Sequence, residues 1–187
     1  YGWMPTDFST FILYTGSQMN YSSPQWYREP ASGDYTPMIW RVDDSYSRNG
    51  VAVGQLSLHP SSTYEASVLR WTAQSNGLYD FIGQFFSGDG GTMQVGVRQG
   101  SDWLWQGVDS GSFELSRSLT AGDAIDFVVY GGYVAGNTPL ELTISSSNQP
   151  PDCSKGAPSV NEIWPPDHTM IAIAVNGVID PDSDPVN

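Results

Sequence analysis

The sequence predicts an all-β chain: a β-sandwich of jelly-roll type, then a linker and a short further β segment. Three observations predict it. Residues 64–86, YEASVLRWTAQSNGLYDFIGQFF, read as two strands around a turn at Asn76-Gly77. From Tyr79 onward Tyr79, Phe81 and Gly83 alternate with Asp80, Ile82 and Gln84, the period-two pattern of a strand with two distinct faces. Similar short runs recur along the chain, roughly nine or ten in all, with no convincing amphipathic helix between them. A hairpin so rich in aromatics needs a second sheet to cover it.

Taken in order, residues 1–35 are the least regular. Phe8 to Tyr14 is a candidate strand, and residues 15–35 read as a long loop carrying Tyr21, Trp26, Tyr27 and Tyr35. Asn20-Tyr21-Ser22 is a formal glycosylation sequon, a weak motif. Thr36 to Val42 and Val51 to Leu58 read as strands, separated by the polar turn around Asp43-Asp44. Beyond the central pair, strands are expected over Met93 to Val97, Trp103 to Trp105, Ser112 to Leu119, Ile125 to Tyr130 and Leu140 to Ile144. The Ser/Asn/Pro-rich run 145–152 marks a boundary. The expected division is a sandwich over 1–146, a linker over 147–158 and a partial β unit over 159–187. That last piece has too little apolar mass to bury a core alone, so it is either part of a second domain or an arm that docks elsewhere.

Composition limits the function classes. The formal charge is −13 with a single lysine, Lys155, so nucleic acid and anionic membrane surfaces are poor partners. No apolar run approaches the ~18–20 residues of a membrane span. The acidic excess suits an extracellular or salty medium or cation binding, with plain solubility the simpler explanation. Cys153 is the only cysteine, so no intrachain disulfide forms. The chain reads as a mature form or a fragment, with any targeting segment already removed.

The run Val53 to Pro60, together with Val68 to Ala73, Gly77-Leu78-Tyr79 and Ala121 to Val129, resembles a module of secreted multidomain bacterial surface proteins. That module is similar to the jelly-roll sandwiches used as carbohydrate-binding modules. The resemblance covers about residues 50–145 and implies fold more strongly than ligand. Ile163-Trp164-Pro165-Pro166-Asp167-His168 with Val178 to Val186 is similar to the opening of an immunoglobulin-like repeat from the same kind of protein. Those repeats usually carry Asn-His-Lys after the two prolines; this chain has Asp167-His168-Thr169.

Catalytic motifs are absent. His59 and His168 are the only histidines, and His59 before Pro60 is most simply structural. No nucleophile elbow, zinc-ligand spacing or phosphate loop is present. Glu65, Asp80, Glu114 and Asp126 are the carboxylates available for glycoside hydrolysis, with no spacing that singles out a pair. The chain is therefore expected to be non-catalytic.

Binding is a better match. Sugar rings stack their C–H faces on Trp and Tyr, and their hydroxyls bond polar side chains. Trp103 and Trp105 lie two apart, so on one face of a strand, beside Asp102 and Gln106; Trp26, Tyr27 and Tyr35 form a second candidate group. Packing in the core is the alternative use of each. Asp180, Asp182 and Asp184 alternate as oxygen ligands suited to calcium, and a solvated acidic turn is the alternative. Two functions follow. One is a secreted or cell-surface module that binds a polysaccharide or other glycan. The other is a structural module of a surface protein or fibre, which pairs strands with further copies of itself or with neighbouring domains.

Overall fold

The computed structural model describes residues 1–30, 33–147, 151–162 and 170–180. The first strands are β1 (Gly2–Met4), β2 (Ile12–Leu13), β3 (Gly16–Asn20), β4 (Ser23–Tyr27), β5 (Met38–Arg41) and β6 (Leu56–His59). Then come β7 (Ala66–Thr72), β8 (Gly77–Phe85), β9 (Gln94–Gln99), β10 (Asp102–Val108), β11 (Gly111–Leu119), β12 (Ala124–Tyr130) and β13 (Thr138–Ser147). Two antiparallel sheets result, a six-stranded one in the order β10-β9-β12-β7-β1-β2 and a seven-stranded one in the order β11-β8-β13-β6-β5-β4-β3. Among the described residues no helix is long and apolar enough to cross a membrane.

The alternation read from the sequence sets the core. Phe81 and Phe85 of β8, Phe113 of β11 and Leu140 of β13 face Val95 and Val97 of β9 and Ile125, Phe127 and Val129 of β12. Alternate positions of each strand face this layer, the odd-numbered ones in β8, β9, β11 and β12 and the even-numbered ones in β13, as two packed sheets require. Phe81 is fully buried and touches Trp71 and Phe127, with ring centroids 5.3 and 6.3 Å away. One polar relay also bridges the layers. The Tyr14 hydroxyl donates to Ser67 Oγ at 3.0 Å, and Ser67 Oγ donates to the Met38 carbonyl at 2.8 Å.

The central stretch differs from the expected hairpin. β7 pairs with β12 and β1, whereas β8 pairs with β11 and β13, so residues 73–76 arch from one sheet to the other. Side-chain alternation reports a strand's faces but not its partner. The arch is tied to the β11–β12 turn: Ala73 N–H donates to the Asp123 carbonyl, Gly122 N–H to the Ala73 carbonyl, and Ala121 N–H to Asn76 Oδ1, each at 2.9 Å.

The expected loop at 15–35 contains the β3–β4 hairpin, with Gly16 opposite Tyr27 and Asn20 opposite Ser23. Its turn places Tyr21 at φ 57°, a left-handed conformation rare for an aromatic residue. Asp44 accepts from Ser22 N–H and from Arg48, and the Arg48 guanidinium lies 4.5 Å from the Tyr21 ring centroid. The expected strand at 51–58 begins only at Leu56. Residues 52–55 form a turn closed by the Gln55 side chain on Ala52 N–H, with Gly54 at φ +83°.

Past β13 the described residues contain β14 (Ala157–Pro158) and β15 (Val175–Asn176), which form a two-stranded sheet. A bridge between Asp152 and Ile179 extends it. β14 lies within the expected linker. The immunoglobulin-like motif at 163–168 lies outside the described residues.

Replacing Phe81 with alanine removes the central contact of the core. Such a cavity costs about 3–5 kcal/mol. Urea unfolding of the chain is expected to show a midpoint lowered accordingly.

Candidate functional site

The aromatic candidates do not share one surface. β10 pairs with β9 through Trp103 opposite Arg98, and after a register shift through Trp105 opposite Val97. This bulge adds one residue and reverses the side-chain parity. Trp105 therefore joins the core, stacked on Phe85 with centroids 6.0 Å apart and planes 5° apart. Trp103 turns to the outer face of the six-stranded sheet, where its indole lies over Gly96; a Cβ there would stand 2.5 Å from the ring. The shared face expected from a spacing of two is thus lost to the bulge.

Of the flanking polar candidates, Asp102 is exposed, and Gln106 donates through Nε2 to the Tyr130 hydroxyl at 2.9 Å. Trp26 packs against the core and against Tyr1, at a centroid distance of 4.6 Å. Its neighbour Tyr27 is buried and meets Tyr35 edge-on at 4.9 Å. Tyr35 is partly open and borders a small cleft with Gln18, Gln25 and Asp34.

A second apolar layer covers the outer face around Trp103. Met4, Ala66, Val68 and Val128 are buried there beneath Phe8 and Phe11 of the segment that follows β1. Phe8 sits edge-on to Trp103 and Tyr130, at 5.3 and 5.0 Å, and those two rings stack on each other at 5.3 Å. Two arginines share this layer. Arg70 lies 4.0 Å from the Phe11 ring centroid and grips Asp126 through two hydrogen bonds of 2.6 and 2.7 Å. Arg98 lies 5.1 Å from the Phe8 centroid and 5.3 Å from that of Trp103.

Beside these groups opens a cleft of about 520 Å³, bordered by Asp7, Ser9, Arg70, Arg98, Ser101 and Trp103. An adjoining hollow of about 680 Å³ shares Arg70 and Ser101 and brings in Asp102 and Asp123. Sequence reasoning found Trp103 and Asp102 but missed Phe8, Arg70 and Arg98. The available signal was a charged residue within each of the apolar strands VLRW and VGVRQ, on a chain with few basic residues.

A second hollow, about 480 Å³, crosses the outer face of the seven-stranded sheet. Glu114, Ile82 and Thr143 form one row across β11, β8 and β13, and Ser112, Gln84 and Glu141 form the next. Gln55 donates to Glu141 at 3.0 Å. Phe113 at its floor is buried in the core, and Glu114 and Glu141 supply carboxylates.

Other carboxylates are engaged within the fold. Asp43 pairs with Arg41, Asp44 with Arg48, and Asp89 accepts from the Asn137 side chain and N–H. Glu65 bonds Arg28, Ser61 and Thr63. Burial alone would raise its pKa, but these hydrogen bonds and the Arg28 charge together hold it below the usual value. Among the described residues no three metal-ligating side chains converge. Asp180 is described, whereas Asp182 and Asp184 lie outside the described residues. Comparison with known proteins found no matching family model and no matching characterised relative.

His59 is buried at the end of β6, its Nδ1–H donating to the Pro60 carbonyl at 2.7 Å. Burial lowers its pKa from the ordinary value.

Two stability predictions follow from these ion and proton sites. Asp126→Asn strands the Arg70 guanidinium beside an Arg98 that already lacks a carboxylate, and breaking such a buried pair costs on the order of 3 kcal/mol. Chemical denaturation should register that loss, with no change for Asp43→Asn on the exposed Arg41 pair. His59 works through pH. Its neutral form is favoured in the fold, so this stability is present above about pH 6.5 and declines as pH falls below it. Thermal melts between pH 7 and pH 5 should show a falling midpoint, and His59→Gln should flatten that slope.

Proposed function

We propose that the chain is a secreted or cell-surface, non-catalytic β-sandwich module that binds carbohydrate. The observation that carries this reading is the cleft on the six-stranded sheet, where the partly open indole of Trp103 stands beside Arg98, Ser9 and Ser101. An indole offers the apolar surface that a sugar's C–H face stacks on, and hydroxyl and guanidinium groups exchange hydrogen bonds with its hydroxyls. Kinship with jelly-roll carbohydrate-binding modules and an immunoglobulin-like second unit belong to the same proposal. So does calcium held by Asp180, Asp182 and Asp184. Because a sandwich hosts many functions, the cleft bears the weight of the argument.

A second reading has its own support. Met170, Ile171, Ile173, Val175 and Ile179 are all exposed beside the small β14–β15 sheet. Such a row suits contact with another copy or a neighbouring domain, as in a structural module of a surface fibre. Light scattering decides it, since a monomer at high concentration removes self-assembly.

The carbohydrate reading is tested by affinity electrophoresis against neutral and acidic polysaccharides, with calcium and with chelator. One polysaccharide is expected to retard the chain, and Trp103→Ala is expected to weaken that binding about tenfold, ~1.4 kcal/mol. Retardation by none of them overturns the proposal. Binding that survives Trp103→Ala but is lost with Glu114→Ala and Glu141→Ala moves the site to the other sheet. Loss with chelator supports the calcium.

A further inference from the structure

We infer that the ligand of the Trp103 cleft is a sugar bearing a carboxylate, recognised by the guanidinium of Arg98. This rests on the carbohydrate reading and names its ligand class.

The argument starts from an imbalance of charge. Arg98 is only 5% exposed. Its cross-strand neighbour is Asp126, but both oxygens of that carboxylate are held by Arg70. The covered face therefore contains two guanidinium groups and one carboxylate. No described carboxylate forms an ion pair with Arg98.

Its hydrogen bonding is as incomplete as its charge. A guanidinium has five N–H donors. Nη2 donates to the Gly100 carbonyl at 2.5 Å, and Nη1 has only the weak acceptor Met4 Sδ at 3.6 Å. Nε is buried without a partner. The Phe8 and Trp103 rings offset part of the cost of this buried cation, but rings cannot accept in-plane hydrogen bonds as oxygen does.

The surroundings define what completes it. Arg98 borders the open cleft, whose rim carries the exposed hydroxyl residues Ser9 and Ser101. Gly100 has nothing within 4 Å of where a Cβ would lie, so the approach is clear on that side. Asp7 stands at the mouth with its carboxylate turned to Ser9 N–H. A carboxylate matches the planar donor array of an arginine. An indole beside that array favours an acid carried on a sugar ring over a free anion.

Calorimetric titration of the intact chain tests this with trigalacturonate, its neutral methyl ester and inorganic sulfate. The acid should bind at least about tenfold more tightly than the ester, and that preference should shrink as salt is added. Arg98→Gln should abolish the preference. Ser101→Glu, an exposed turn substitution that leaves the core untouched, should weaken the acid more than the ester, and it decides the matter should Arg98→Gln not fold. Equal binding of acid and ester overturns the inference and leaves the carbohydrate reading standing. Binding of neither overturns the inference, and the polysaccharide panel then decides the carbohydrate reading. Sulfate that binds as tightly as the acid overturns it in favour of a general anion site, and a preference unchanged in the variants overturns the role of Arg98.

Discussion

The sandwich depends on the contact of four phenylalanines across two sheets that share no strand. Phe81, Phe85 and Phe113 come from one layer and Phe127 from the other; Phe113 and Phe127 lie 5.8 Å apart and Phe85 and Phe113 5.9 Å. Among the described residues no backbone ladder joins the layers, so their registration rests on side-chain shape and on contacts such as the Tyr14–Ser67–Met38 relay. The glycines among them follow from that packing. A Cβ on Gly83 would stand 2.5 Å from the Phe113 ring, and one on Gly107 2.7 Å from Trp105. The strands keep period two because any slip would turn these rings to solvent.

A different constraint shapes the outer face of the six-stranded sheet. Val68 and Val128 point away from the core and would be exposed apolar residues, but the segment after β1 lays Phe8 and Phe11 over them. This makes a thin third layer, too shallow to exclude charge. Arginines serve there because their stems add apolar contact while their planar heads stack on rings. The cleft exists where this cover ends, between Ser9 and Ser101.

What the sequence revealed follows from the range of the forces involved. Alternation is local, so the faces of β8, β11 and β12 were legible from Tyr79, Phe113 and Phe127 alone. Pairing is not local, and the arch at Asn76 looks like a hairpin turn until the other strands are placed. The β3–β4 hairpin was illegible because the edge strand β3 is polar and Tyr21 occupies a turn position that glycine or asparagine would announce. One residue of bulge at Leu104 separated Trp103 from Trp105, and a register shift leaves no mark in composition. Arg70 and Arg98 drew no notice in the sequence because their cover by Phe8 and Phe11 is a contact between residues far apart in the chain.

A chain of charge −13 looks like a poor host for an anion, yet the two facts act over different distances. Net charge governs the field beyond the surface, which salt screens within about 8–10 Å, and so it slows encounter with a polyanion. Affinity is decided at contact, where water is excluded and each charge sees its immediate partners. The arginines are distributed accordingly: Arg28, Arg41, Arg48 and Arg70 each hold a carboxylate, and Arg117 donates to the Ser116 carbonyl at the surface. Among the described residues Arg98 is the buried arginine with no carboxylate of its own. Arg98 thus brings to the wall of the cleft a positive charge that no described carboxylate pairs, whatever the net charge of the chain.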